Sequence, residues 1–161
     1  MVKYLLPLLM ISSLSISTAE AAPAQGAPAS QTMVVRAQAS LDQGKTQAAI
    51  DQFEAALALD PSNVAAYIGL GRAHVKADLS GKAVRFYREA LAIDPNDLTA
   101  LEEQGKVFAD RGATQRAQIN LARIRTICKS DCLHATRLAS AIVRAIYHPA
   151  ASGPTRSAPA G

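Results

Sequence analysis

The sequence predicts an all-α protein made of stacked helical hairpins, and three observations carry that prediction. The segments Ala56-Leu57-Ala58-Leu59-Asp60-Pro61 and Ala90-Leu91-Ala92-Ile93-Asp94-Pro95 match at five of six positions and lie 34 residues apart. A period of that length marks a supersecondary unit that buries its apolar face against copies of itself. In steps of 34, small residues recur at Ala37, Gly71 and Gly105 and at Ala49, Ala83 and Ala117, while the large apolar residues Phe53, Tyr87 and Leu121 share another register. Small positions let helices approach closely and large ones fill the space between units, which is a packing code. Lastly, each Asp-Pro pair ends an apolar-periodic run, and proline bars the residue before it from continuing a helix.

Taken in chain order, the N-terminus reads as a secretory signal over residues 1–21. Lys3 gives the positive start, Tyr4 to Ser17 is an apolar stretch of 14 residues, and Ala19-Glu20-Ala21 offers an A-x-A cleavage site. The apolar stretch is too short to span a bilayer comfortably, so no stable membrane insertion is expected after cleavage. No cysteine follows the site, which argues against a lipid anchor. Residues 22–30 read as a flexible leader, and residues 148–161, rich in Ala, Pro, Ser and Gly, as a disordered tail. Between them the spacing predicts helices at about 31–42, 46–59, 64–77, 81–93, 98–110 and 114–128. Gly44 and Gly112 fall at the turns within their pairs, where the backbone must be permissive; Asp78 takes that place in the middle pair, with Ser80 or Gly81 able to serve the turn instead. Three pairs leave an apolar face open. Leu133, Leu138, Ala141, Ile142, Ala145 and Ile146 follow helical spacing, so residues 132–147 are read as a capping helix. The result is a domain over residues 31–147, large enough for its own core.

The pattern resembles the tetratricopeptide repeat family, whose unit is a pair of antiparallel helices ending in proline. The resemblance is strongest in the second unit, where Tyr67, Leu70, Gly71, Ala83, Tyr87, Ala90 and Pro95 stand at the family positions. The first unit carries Ala37, Gly44, Ala49, Phe53, Ala56 and Pro61, with Met33 and Ser40 where larger residues are usual. The third keeps Gly105, Phe108, Gly112 and Ala117, then has Lys129 in place of the proline. This resemblance implies repeats at about 30–63, 64–97 and 98–130, stacked as a right-handed superhelix. It also implies a groove lined by the first helix of each pair: Val34, Gln38 and Leu41, then Ile68, Arg72 and Lys76, then Glu102, Lys106 and Asp110. Some members grip a C-terminal carboxylate through Lys, Asn and Arg at fixed positions of that groove. Here the matching places hold Val34, Gln38, Gly69, Thr99 and Glu103, so that clamp is absent and a chaperone-tail receptor is not expected. A peptide or partner helix with an acidic spot is expected against Arg72, Lys76 and Lys106.

Charge is uneven along the chain. Residues 22–110 hold eight Lys/Arg and eleven Asp/Glu, net −3, whereas residues 111–161 hold eight Lys/Arg and the single acid Asp131, net +7. Arg116, Arg123, Arg137 and Arg144 therefore form a basic end able to meet an acidic protein surface, anionic lipid or cell-wall polymer, or simply a solvated face. Export and the few aromatic residues argue against nucleic acid.

Cys128 and Cys132 bracket the junction of the last repeat helix and the cap. In an oxidising compartment they can form a disulfide fixing the cap, stay free, or serve a redox or metal role. Ser130 or Asp131 can cap the last helix.

Catalytic chemistry finds no support. His74, His134 and His148 are scattered, and His74 reads as a packing residue. Cys128, Cys132 and His134 do not match a recognised metal spacing, and no phosphate loop, G-x-S-x-G or H-E-x-x-H is present. No metal and no cofactor are expected. The sequence thus points to a non-enzymatic scaffold for protein–protein contact in the bacterial envelope, periplasmic or else secreted. Two alternatives stand: an accessory subunit of an envelope enzyme or cell-wall complex docking through the basic end, and a thiol-active protein using Cys128 and Cys132.

Overall fold

The computed structural model describes residues 26–129 and 132–147. Its regular structure there is entirely helical: α1 (Gly26–Asp42), α2 (Thr46–Leu59), α3 (Val64–Lys76), α4 (Ser80–Ile93), α5 (Leu98–Asp110), α6 (Thr114–Cys128) and α7 (Leu133–Tyr147). The expected signal, the tail, and the proposed caps Ser130 and Asp131 lie outside the described residues.

Helices α1–α2, α3–α4 and α5–α6 pack as hairpins, and α7 lies on both α5 and α6. Each hairpin joins the next through α2·α3 and α4·α5, while α1·α3 and α3·α5 contacts set the first helices side by side along one face. The periodic signals in the sequence map onto the joints. Phe53 and Tyr87 are fully buried, and Leu121 is nearly so. A Cβ on Gly71 would sit 2.3 Å from the Tyr87 ring, and one on Gly69 would sit 2.2 Å from the Phe53 ring. Bare glycine is therefore what lets α3 close on α2 and α4.

The ends of the helices repeat as faithfully as their packing. Asn63 and Asp97 cap α3 and α5, their side-chain oxygens accepting from Ala66 N (3.1 Å) and Ala100 N (2.7 Å). Asp60 and Asp94 leave the helix in extended conformation, as a residue before proline must. Their carboxylates then accept from the backbone N–H two residues on, Ser62 at 3.0 Å and Asn96 at 2.9 Å. Within the hairpins, Gly44, Asp78 and Gly112 all have positive φ (76°, 58° and 74°). Asp78 itself makes the middle turn; Ser80 and Gly81, offered as alternatives, are already helical. Asp tolerates this left-handed conformation better than most residues.

One boundary differs from expectation. Helix α1 starts at Gly26, so residues 26–30 are helix and not a flexible leader. Ser30 explains it: fully buried, its hydroxyl donates to the Ala56 carbonyl (2.8 Å) and accepts from Asn63 Nδ2 (2.7 Å). These bonds tie the first turns of α1 to the end of α2 and to the cap of α3.

Candidate functional site

The first helices of the hairpins face a recess of about 720 Å³. From α1 it takes Val34, Val35, Gln38, Ala39 and Asp42, from α3 Val64, Ala65, Ile68 and Arg72, and from the start of α5 Asp97 and Thr99. Residues three and four apart share one helix face, so Val34–Gln38, Val35–Ala39–Asp42 and Val64–Ile68–Arg72 line the recess in rows. Its floor is aliphatic and its polar groups stand at the margin. The Gln38 amide donates to Asp42 Oδ1 (2.8 Å), and Asp97 is held by its capping bond. Arg72 lies 3.7 Å from Glu103. Neither Asp42 nor Asp97 has a cation within ion-pair distance among the described residues.

Of the nine residues expected along this surface, four (Val34, Gln38, Ile68 and Arg72) meet in the recess. The other five are placed elsewhere. Lys76 Nζ donates to the Leu41 carbonyl at 2.8 Å, stitching α3 to the last turn of α1, where carbonyls lack helical partners. Leu41 itself is turned inward, 1% exposed, within the first core cluster. Glu102 is also no groove residue. Its side chain is 3% exposed and accepts from Lys106 and from His134 Nδ1 of α7 (2.6 Å). The cap packs on α5 and covers the surface that the repeat pattern would otherwise leave open. Lys106 is further drawn to Glu103 at 3.5 Å, and Asp110 is exposed at the end of α5. The cationic strip expected from Arg72, Lys76 and Lys106 is therefore mostly satisfied internally.

Residues that the pattern did not single out supply the remaining wall: Val35, Ala39, Asp42, Val64, Ala65 and Asp97. Asp97 shares the 34-residue register of Asn63, and that signal could have placed it beside α3.

The basic end also divides. Arg123 donates to the Pro95 carbonyl at 2.6 Å, tying α6 to the turn after α4, and Arg116 lies over the Phe108 ring at 5.6 Å within the third hairpin, so both serve internal packing. Arg137 and Arg144 are exposed and in no ion pair among the described residues. The Sγ atoms of Cys128 and Cys132 are 2.11 Å apart, a disulfide distance, at the joint of α6 and α7. His74 is buried and stacks on Phe86 (5.1 Å between centroids, planes 2° apart). Burial, with help from the Lys82 charge, holds its pKa below the ordinary 6.5. Burial likewise pushes the Tyr87 phenol well above its usual range. Among the described residues no group of three or more His, Cys, Asp or Glu is placed to hold a metal, and no helix is long and apolar enough to cross a membrane.

A tetratricopeptide repeat family model matches residues 34–97. Solved structures with the same fold include the Sgt2 TPR domain from Aspergillus fumigatus, at TM-score 0.69 and 19% identity, covering 80% of this chain and 87% of that one. The type III secretion translocator chaperone SycD of Yersinia enterocolitica aligns at TM-score 0.67 and 17% identity, over 76% of this chain and 96% of its own. The first TPR of Spaghetti (RPAP3), solved bound to HSP90 peptide SRMEEVD, aligns at 0.66 and 17%, over 75% and 95%. No curated protein matches the sequence.

Proposed function

As a tetratricopeptide repeat protein, by family match over residues 34–97 and by fold from α1 to α7, this chain is one that we propose works as a non-catalytic scaffold in the bacterial envelope, holding a peptide or partner helix in the recess across α1, α3 and α5. The observation that carries this reading is the aliphatic floor formed by Val34, Val35, Ala65 and Ile68 on helices that the hairpin joints hold rigid. A preformed surface loses little conformational entropy on binding, so modest contacts suffice for affinity. That one structure of this fold was solved with a peptide supports the choice of ligand class. The missing carboxylate clamp and the internally paired Arg72 argue for recognition through side chains along an extended or helical segment. Export to the periplasm rests on the N-terminal residues 1–21, whose composition suits a cleaved signal.

Photo-crosslinking tests the reading. A benzophenone side chain at exposed Val35 is expected to trap a discrete protein partner in living cells, whereas the same group at exposed Arg88 on α4 is not. Ala65→Asp, made in the chain that carries the Val35 crosslinker, should abolish the trapping, and equal trapping from both positions would defeat the proposal. Mass measurement of the fractionated protein tests export, which requires a mature start at Ala22.

A second reading keeps one specific support. Arg137 and Arg144 are exposed on α7 and in no ion pair among the described residues, as an accessory subunit docking by its basic end would require. Charge reversal at both, leaving the Val35 crosslink intact while releasing an envelope enzyme, would favour it.

A further inference from the structure

We infer that the groove accepts helix α7 of a second copy of this chain, so that molecules join head to tail. The inference rests on the groove reading above and names its occupant.

Helix α7 buries one side and carries large apolar residues among polar ones on the other. Leu138, Ala141 and Ile142 are buried against α5 and α6, yet on the opposite side Leu133, Val143 and Tyr147 are exposed, Tyr147 by 75%. Arg137 and Arg144 flank that outer row. At 1.5 Å per residue the row from Leu133 to Tyr147 runs about 21 Å. Thr136 and Ser140 stand in the same row, so the outer face joins three exposed large apolar side chains with polar and cationic ones, the mixture that a partner surface can cover.

The groove offers the complement. Its floor is aliphatic, and Val35 in it is 70% exposed. Its carboxylates, Asp42 and Asp97, have no cationic partner among the described residues, while its one cation, Arg72, is drawn to Glu103. A helix face with three exposed large apolar side chains and two arginines suits this recess better than the acidic segment that the sequence pattern suggested. The chain-level charge agrees: residues 22–110 carry net −3 and residues 111–161 net +7. A molecule cannot satisfy itself this way. Among the described helices α7 contacts only α5 and α6, whereas the recess is built mainly on α1 and α3, so the cap that fills it must come from another copy. Such a contact joins two different surfaces and leaves one of each free, so growth continues beyond a pair.

Sedimentation equilibrium of the purified full chain provides the test. The weight-average mass should rise with concentration past that of a dimer, and association should weaken at high salt. Val35→Asp in the groove and Val143→Asp on the cap should each weaken association by about tenfold or more, because either buries a carboxylate against apolar surface. Both positions are exposed in the single molecule, so folding, checked by circular dichroism, is preserved. An equimolar mixture of the two variants should form a one-to-one heterodimer and nothing larger, because one intact groove and one intact cap remain. A wild-type chain that stays monomeric overturns the inference. So does association lost only with Val143→Asp, which would mean a symmetric α7–α7 pair. If the chain is monomeric yet the Val35 crosslink still traps another protein, only the occupant named here is wrong. If Val35 traps nothing, the groove reading itself fails.

Discussion

The joint between the first two hairpins and the joint between the third hairpin and α7 solve one packing problem in different ways. At the first, Phe53 and Leu70 are fully buried among alanines, and the Phe53 ring lies against bare Gly69. At the second, Leu138 lies against Gly105, but polar bonds do much of the joining. Glu102 on α5 accepts from His134 on α7, and the Cys128–Cys132 pair closes the turn. Inside the array each hairpin meets a near copy of itself, so the small-and-large code recurs at each joint, with the Asn63–Ser30 and Lys76–Leu41 bonds added at the first. The final helix meets no copy, and directional bonds fix where it sits.

The sharpest way to break this comparison is to add one methyl at each joint. Gly69→Ala should cost about 3 kcal/mol, because a buried aromatic ring cannot step aside. Gly105→Ala should cost about 1 kcal/mol, because the nearest atoms are the terminal methyls of Leu138 and the added helix propensity offsets part of the strain. Urea denaturation measures both, and equal losses would remove the distinction. Next in size, Glu102→Ala should lose about 2 kcal/mol, leaving Lys106 and His134 without their shared acceptor. Glu102→Gln, which keeps an acceptor, should lose less, and a reversed order would mean the charge is a burden at that joint.

Replacing Cys128 and Cys132 together by serine should cost about 1 kcal/mol, since so short a loop restrains the unfolded chain only modestly. Hydrogen exchange would show the change in α7 and leave α1–α4 protected as before. The smallest effect belongs to His74. Its folded pKa lies below 6.5, so as pH falls through 6.5 the unfolded chain takes up the proton first. Its contribution is therefore complete above that value and is lost progressively below it. Comparing urea midpoints at about pH 8 and about pH 5, His74→Phe should flatten part of the acid-side loss. An unchanged slope would assign the loss to carboxylates alone.

The sequence disclosed local order well and site chemistry poorly, for identifiable reasons. Pro61, Pro95, Gly44 and Gly112 act through their own backbone, so their consequences can be read without a neighbour. The half of the recess on α1 and α3 was anticipated only through the family resemblance, and helical spacing then sets Val34 with Gln38 and Ile68 with Arg72 on one face. The remaining residues failed where a second helix intervened. Lys76 found the free carbonyl of Leu41, and Glu102 was covered by α7, which no periodicity on α5 announces. Ser30 was misjudged with its Ala- and Pro-rich surroundings because its partners, Ala56 and Asn63, lie 26 and 33 residues away.

By itself the sequence determined how many hairpins form, where each helix stops and where the repeat's alanines and aromatic residues pack, since proline geometry, helix period and apolar burial operate within a few residues. Tertiary structure alone decided which charges remain free to meet a partner. That choice depends on whether an oppositely charged group or an open carbonyl lies within about 4 Å, and the distance is set by helices far apart in the chain. Arg123 and Arg144 are alike on paper; folding gives the first the Pro95 carbonyl and leaves the second facing water.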